Sequence, residues 1–354
     1  MKVLITGGLG CVGVNFADYC LARGDFVTII DNGERGESNI RNEMWLRGRH
    51  RDGATRISVF HGNVGSFAAV DSAFASSTPI DAVVHCAAQS SVNRSIELPV
   101  LDYNSNVTGT FNVLEATRRF APNAAFIFMA SNKVYDVTQW PVEMRGSAWK
   151  FVGKPSGPGE TVPFYTDAKE PYGASKICGL YYTRCYAAMY NLNAVVVVPS
   201  GMFGIRQFGK EEQGWLAWMA IATELGLTFH IKGDGFQTRD MLDTDDVNLA
   251  LAMLLRVASK HRGEVFNLGG GPRNAISLVE AKDEIEHNLD KKLYVEYEDW
   301  RPQDNKCYIS NVGKLIDMGW YPKTDIKEGI KKVCAWVRSE KETLKELYLG
   351  EKRG

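Results

Sequence analysis

The chain has 354 residues, 45% of them hydrophobic, which is enough to bury the core of one large domain or two smaller ones. Its 41 Lys and Arg balance 42 Asp and Glu for a formal net charge of -1, so it lacks the overall basic charge on which a nucleic-acid binder relies. Seven cysteines, an odd number with no CxxC pair, suggest neither a disulfide framework nor a zinc site, and no metal is expected. The basic group Arg47, Arg49, His50 and Arg51 reads as a solvated loop. No apolar run approaches the ~20 residues that span a bilayer. The opening Met-Lys-Val-Leu-Ile-Thr-Gly-Gly has no charged-then-apolar leader. The expectation is a cytoplasmic protein with neither a nucleic-acid nor a membrane partner.

Up to residue 200 the chain alternates short apolar runs with helical patterns. The runs are Val3–Thr6, Phe26–Asp31, Ile57–Phe60, Ala82–Cys86, Ala125–Met129 and Ala194–Val198. Near-continuous apolar strands are expected where helices cover both faces of a sheet. Strand-helix alternation then implies right-handed crossovers and a doubly wound parallel α/β sheet. The pattern alone does not separate a Rossmann-type strand order from a flavodoxin-like one. After Pro199 the texture changes: Gly201, Gly204, Gly209 and Gly214 punctuate a loop, and an aromatic helix follows around Trp215 and Trp218. The run Val265–Leu268 can return the chain to the sheet, and the tail from Ser310 to Tyr348 looks helical. This predicts a first domain from residues 1–200 plus 241–271, and a smaller C-terminal α/β substrate domain from 201–240 plus 272–354.

Thr6-Gly7-Gly8-Leu9-Gly10-Cys11-Val12-Gly13 lies between the first strand and the first helix. Gly7 permits the tight turn, Gly10 lets backbone amides approach a pyrophosphate, and Gly13 lets helix and strand pack closely. The amides of the helix N-terminus, beginning at Cys11 and Val12, suit phosphate oxygens. Asp31 ends the second strand about twenty residues on, where a carboxylate accepts hydrogen bonds from the adenosine ribose and repels a 2′-phosphate, favouring NAD over NADP. Arg35 either stacks on the adenine or favours that phosphate, and Asn63-Val64 is placed to border the adenine.

Ser131 follows the run Ala125–Met129 at the carboxyl end of a parallel strand, where open α/β sheets place ligands. A serine there is also a common helix cap. Tyr172-Gly-Ala-Ser-Lys176 opens a helix after Pro171, and residues four apart share a helix face. A lysine ammonium beside a tyrosine favours the phenolate, lowering a pKa that is ordinarily about 10, so the pair can act as a base near neutral pH.

The chain resembles the extended short-chain dehydrogenase/reductase family of nucleotide-sugar enzymes nearly end to end. The resemblance runs through Thr6–Gly13, His85-Cys-Ala-Ala-Gln89, Asn106-Val-Thr-Gly-Thr110, Ser131-Asn-Lys-Val-Tyr135, Tyr172–Lys176, Gly233-Asp-Gly-Phe-Gln-Thr-Arg-Asp240 and Arg301-Pro-Gln-Asp304. It implies NAD as cofactor, Ser131, Tyr172 and Lys176 as the catalytic triad, and a homo-oligomer (dimer or tetramer). It adds Asn32, Ala87, Ala88, Gln89, Asn106 and Pro199 to the cofactor contacts. Arg239 and Arg301 would hold the substrate's diphosphate, a task that suits guanidinium forks. Gln89, Ser91, Asn132 and Lys232 join them as substrate contacts.

Family members that eliminate water resemble one another in an acidic pair after the serine. Asn132 and Lys133 stand there in this chain, which disfavours a dehydratase. Gln89, Ser131–Tyr135, Lys154-Pro-Ser-Gly157, Ser200–Gly209 and Gln213-Gly-Trp-Leu-Ala-Trp218 look specifically like the CDP-tyvelose (CDP-paratose) 2-epimerases. In that stretch Arg206, Gln207 and Trp215 become nucleotide or sugar contacts, with core packing an equal alternative for Trp215. The block Val162–Glu170 departs from the pattern, and Val198 and Gly201 stand where more distant relatives carry Arg and Asn. The implied reaction is NAD-dependent inversion at C2 of a CDP-linked hexose through a ketone. A 4-epimerase and a net-redox ketoreductase are the alternatives.

Overall fold

The computed structural model describes residues 1–162, 164, 170–301 and 304–350. It resolves into two compact units, Met1–Tyr135 with Pro163–Pro199 and Val247–Phe266, and Asp136–Val162 with Ser200–Asp246 and Asn267–Gly354.

The first unit begins β1 (Lys2–Thr6), α1 (Cys11–Ala22), β2 (Phe26–Asp31), α2 (Glu37–Arg49), β3 (Ile57–His61), α3 (Phe67–Ser77) and β4 (Ala82–His85). It continues with α4 (Val92–Glu97), α5 (Pro99–Asp102), a π-helical turn at Tyr103–Thr108, α6 (Gly109–Phe120) and β5 (Ala125–Met129). A hairpin of the second unit follows, β6 (Val142–Arg145) and β7 (Ala148–Phe151), before α7 (Pro171–Tyr190) and β8 (Asn193–Pro199) return to the first.

The second unit carries β9 (Gly201–Phe203), α8 (Trp215–Leu225), β10 (Thr228–Lys232) and β11 (Thr238–Asp243). α9 (Thr244–Val257) starts there and runs into the first unit, and β12 (Val265–Leu268) lies at the next junction. β13 (Ala275–Ser277), α10 (Leu278–Leu289), β14 (Tyr294–Glu298), β15 (Cys307–Tyr308), α11 (Gly313–Asp317), α12 (Ile326–Ser339) and α13 (Lys341–Leu349) complete it.

The large sheet has seven strands in the order β12-β8-β5-β4-β1-β2-β3. Parallel pairings run from β3 through β2, β1, β4 and β5 to β8. The order reverses between β1 and β4, which is the Rossmann arrangement and resolves the strand-order ambiguity of the sequence against a flavodoxin-like fold. Its strands are apolar on both faces: Leu4 and Ile5, Val83 and Val84, Phe126 and Ile127, and Val195 to Val197 are all fully buried. Consecutive buried residues of that kind contribute about 1.5–3 kcal/mol each and leave no solvent face for an alternation to mark.

In the second unit β13, β11 and β15 form a sheet with β9 joined to β11, and β10 pairs in parallel with β14. Helix α12 buries Ile326, Ile330, Val333, Cys334 and Val337, a spacing of four, three, one and three that makes one stripe. The stripe packs with Leu216, Met219 and Ala220 of α8 and Ile285 and Leu289 of α10. A capping box between Ser277 and Glu280 fixes the start of α10.

Residues 136–162 differ from the sequence-based division, which placed them in the first domain. This segment bonds within the second unit: in β7 Trp149 N–H donates to Phe236 O at 3.0 Å and Trp149 Nε1–H to Asp234 at 2.8 Å, and beyond the hairpin Gly157 N–H donates to Ile309 O at 2.6 Å. The basic group lies at the end of α2 and just beyond it, where Arg47 pairs with Glu43, and Arg49 and His50 pair with Asp18. Among the described residues no helix is long and apolar enough to cross a membrane.

A Cβ on Gly13 would lie 2.3 Å from the Gly7 carbonyl oxygen, whereas one on Gly48 of α2 would meet nothing within 4 Å. Gly13→Ala is therefore expected to cost about 1–3 kcal/mol by overpacking. Gly48→Ala, gaining helix propensity, should leave stability unchanged or raise it by up to about 1 kcal/mol. Thermal unfolding of the two variants beside the parent measures the contrast.

Candidate active site

The glycine turn is built by backbone crowding. Gly7 has φ +65°, and a Cβ there would sit 2.7 Å from Ala87 Cα, so only glycine fits beneath the end of β4. No side chain caps the N-terminus of α1, whose N-cap is Gly10, and no acidic residue stands in its first turn. The positive end of the helix dipole is therefore not offset by a carboxylate of its own first turn, which suits an anion there. Asp31 is buried at the end of β2 and accepts from Leu9 N–H at 3.0 Å and Gly33 N–H at 2.9 Å. Burial pushes its pKa up, while those two amides and the nearby Arg35 oppose the rise. It thus tethers the glycine turn to the second strand and puts negative charge beside it. An amide-lined anion cradle flanked by a carboxylate fits NAD's pyrophosphate and ribose.

Around this turn Arg35 reaches Ser90 at 3.4 Å, and Asn32 exchanges hydrogen bonds with Glu34. Asn63 accepts from Gly65 N–H, and the Val64 carbonyl accepts from Asn112. Ala87 N–H donates to Thr6 Oγ1 at 3.2 Å. Pro199 closes β8. His85, prominent in the sequence motif, is a core cross-link: its ring bonds Thr6 at 2.6 Å and Thr110 at 3.0 Å, and burial drops its pKa to about 3, so it is neutral.

Ser131, Tyr172 and Lys176 are all buried in the first unit. Ser131 Oγ caps the turn Asn132–Val134 by accepting from Lys133 N–H at 3.2 Å, and its hydroxyl opposes the rise in the Tyr172 pKa. The two readings of this serine, cap and active-site hydroxyl, are therefore compatible. Pro171 starts α7, and the Glu170 carboxylate caps it through Gly173 N–H at 3.0 Å. Lys176 Nζ donates to Met129 O at 3.0 Å and lies 5.3 Å from the Phe128 ring centroid. Burial pulls the Lys176 pKa down to about 8 and pushes Tyr172 up to about 12, with Ser131 opposing the latter. The sequence predicts that the lysine lowers the tyrosine. In the structure burial pushes the Tyr172 pKa up instead, and the Lys176 ammonium donates to a carbonyl of β5.

Gln89 differs from a free substrate ligand. Its amide is buried and internally engaged, accepting from Ser91 N–H and donating to Ser91 O at 2.8 Å and to Asp102 at 3.0 Å. Ser91 caps α4, and Asn132 Oδ1 receives the Ser131 hydroxyl at 3.4 Å. The sequence reading missed Asp102 and Glu170. The one signal for Asp102 was its spacing of four from Asn106, which puts both on one helix face.

In the second unit Arg239 reaches Asp304 at 2.7 Å, and Arg301 donates to Glu211 O at 3.1 Å while its Nε is buried without a partner. Pro302 and Gln303 lie outside the described residues, as do Pro163 and residues 165–169. Lys232 pairs with Glu298 and with Glu211. Arg206 is buried, pairs with Glu340 at 3.1 Å, stacks over Phe208 and adopts φ +62°, a backbone region non-glycine residues seldom enter. Its guanidinium is engaged inside the unit. Gln207 donates to Met202 O, leaving its buried Oε1 without a partner. Trp215 packs half-buried against the helical core, the alternative its sequence context allowed.

The chain belongs to the NAD dependent epimerase/dehydratase family, whose model matches residues 3–269. It is thus an NAD-dependent nucleotide-sugar enzyme of the extended short-chain dehydrogenase/reductase type. It is similar to the CDP-paratose 2-epimerase of Salmonella typhi, 32% identical over 96% of this chain and 100% of that one. A putative UDP-glucose 4-epimerase of Methanocaldococcus jannaschii is 28% identical over 96% and 100%. The crystal structure of the Thermus thermophilus UDP-glucose 4-epimerase in complex with NAD superposes with a TM-score of 0.79 at 28% identity, covering 96% and 99%.

Because the Asp31 carboxylate stands beside the turn, the protein should bind NAD at least tenfold more tightly than NADP, a difference of about 1.4 kcal/mol. Chromatography of extracted nucleotide and direct titration measure this. Retention of mainly NADP(H) contradicts the role of Asp31.

Proposed function

We propose that this enzyme inverts C2 of a CDP-linked hexose, of the CDP-paratose/CDP-tyvelose type, through transient oxidation to a ketone. The observation that carries the epimerase reading is the residue set itself: Tyr172 with Lys176 four residues on along α7, Ser131 just after β5, and Asn132 and Lys133 where elimination would need a carboxylic acid and base. The choice of C2 and of CDP is supported by the full-length similarity to the Salmonella typhi CDP-paratose 2-epimerase.

Tyr172 takes the proton from the sugar hydroxyl and later returns it, and Ser131 positions the reacting oxygen by hydrogen bonding. Lys176 holds a positive charge close by, which favours the phenolate during transfer. NAD, when bound, supplies the hydride acceptor and then the donor, so no net redox results and no added reductant is consumed. Arg239 and Arg301 anchor the diphosphate, which lets the oxidised sugar present its other face without leaving. Arg239 is paired with Asp304 in the structure, so diphosphate binding exchanges a carboxylate partner for phosphate oxygens.

A 4-epimerase is the second reading, favoured by the similarity to UDP-glucose 4-epimerases. It needs the same proton-transfer group.

Incubation with CDP-paratose, CDP-tyvelose, UDP-glucose and UDP-galactose, analysed by NMR, tests the choice. The expected outcome is interconversion of the two CDP sugars with no added cofactor; exclusive inversion of the UDP sugars at C4 overturns it. Tyr172→Phe should lower kcat at least ~10²-fold with substrate affinity largely kept, the range of a lost general base. Arg301→Ala should weaken nucleotide-sugar binding far more than NAD content, as read by calorimetry and bound-nucleotide analysis. Equal loss of both would indicate misfolding.

A further inference from the structure

All eight tryptophans lie among the described residues, and Trp300 is the exposed one, with 37% of its surface open. It follows β14 and immediately precedes Arg301. An indole left in water forgoes the burial that its size would otherwise contribute.

Its seat is nevertheless built. Gly233, just past the end of β10, donates its N–H to Glu298 O at 2.9 Å and has φ +106°. A Cβ on it would lie 2.7 Å from Trp300 Cδ2, 2.8 Å from Cε2 and 2.9 Å from Cε3. Cδ2 is bonded in the ring plane to three other atoms, so an atom that close to it stands over a face of the indole. Only glycine lets the backbone lie against that face. One face of Trp300 therefore rests on the chain, and the open area belongs to the rest of the ring.

The surroundings are fixed as well. Lys306 Nζ lies 4.3 Å from the Trp149 ring centroid and 5.9 Å from that of Trp300, so it sits on Trp149 and reaches Trp300 at the outer limit of cation contact. Asp234 holds Trp149 Nε1–H at 2.8 Å, and Lys306 O accepts from Thr238 N–H at 2.9 Å. Arg239 follows Thr238 on β11 and reaches Asp304 at 2.7 Å, and Asp304 N–H donates to Arg301 O at 3.2 Å. Trp300 thus shares one framework with Arg239 and Arg301, all of it in the second unit.

An exposed indole suits an organic cation, a sugar or a planar base. Lys306 already puts positive charge beside the ring, which repels a cation. The hexose end of the substrate is committed to Tyr172, a residue of the first unit. A nucleobase remains, since every base has a π-face to stack on an aromatic side chain.

We propose that the open side of Trp300 is the stacking platform for the pyrimidine base of the nucleotide-sugar substrate. This rests on the reading of Arg239 and Arg301 as the diphosphate anchors.

The NAD-loaded enzyme and its Trp300→Ala, Trp300→Phe and Arg301→Ala variants are titrated with CDP, UDP and inorganic pyrophosphate by calorimetry, with indole emission followed in parallel. In Trp300→Ala the affinity for the tighter-binding nucleotide should fall about tenfold, within the range for one base on one aromatic ring. Its affinity for pyrophosphate should stay near the parent's. Trp300→Phe keeps a flat ring, so it should keep most of the nucleotide affinity and lose the part of the emission quench that a stacked base causes. Unchanged nucleotide affinity in Trp300→Ala overturns the proposal, as does an undiminished quench in Trp300→Phe. Equal loss of nucleotide and pyrophosphate in Trp300→Ala also overturns it, because the indole then only props Arg301. A fall confined to CDP-paratose, with CDP unaffected, assigns the ring to the hexose and overturns it too. Should Trp300→Ala fail to fold, Trp300→Phe decides alone. Arg301→Ala that binds all three ligands like the parent removes the diphosphate reading and the platform argued from it. Weakened binding there beside an unaffected Trp300→Ala removes the platform alone.

Discussion

An ammonium in an apolar interior is the constraint around which the first unit is arranged. Lys176 is buried on α7 against the aromatic and carbonyl groups of β5. Isolated burial would drive it neutral, and its pKa is already drawn down to about 8. Keeping it charged requires dipoles at fixed positions. The Met129 carbonyl supplies one at 3.0 Å because β5 ends there. A strand end is a rigid support, which is where a group that must be held to fractions of an ångström is best built.

The same economy of space governs the cofactor turn. Gly7 and Gly13 close onto each other and onto Ala87, so β1, α1 and the end of β4 are fixed together by backbone contact. Asp31 then ties the turn to β2 through Leu9 and Gly33. A loop so constrained presents its amides already ordered, and ordering cost on binding falls accordingly.

The parallel sheet was legible in the sequence because it is buried on both faces. Val3–Thr6, Ala82–Cys86 and Ala194–Val198 were near-continuous apolar runs with no competing helical period. The hairpin β6-β7 was not legible: Val142–Arg145 and Ala148–Phe151 are short, partly polar, and held by partners such as Phe236 and Asp234 far along the chain. The glycine turn, Asp31, Tyr172 and Lys176 were readable because each occupies a fixed offset within a strand-helix unit. The burial of Asp102 was not, since one carboxylate in a polar helical stretch looks like a solvated face until Gln89 and Asn106 donate to it. Arg206 and Gln89 have internal partners that the sequence does not show: tertiary packing turns one to Glu340 and the other to Ser91 and Asp102.

The central claim is reversible hydride removal at one carbon of a nucleotide-linked sugar, with Tyr172 carrying the proton. A CDP-paratose substrate deuterated at C2 addresses it most directly. The expected result is a slowed turnover, inverted product with deuterium still on C2, and little label in water. Absence of an isotope effect together with inversion at C4 would move the chemistry to another carbon. Washout of the label into solvent would contradict hydride transfer altogether.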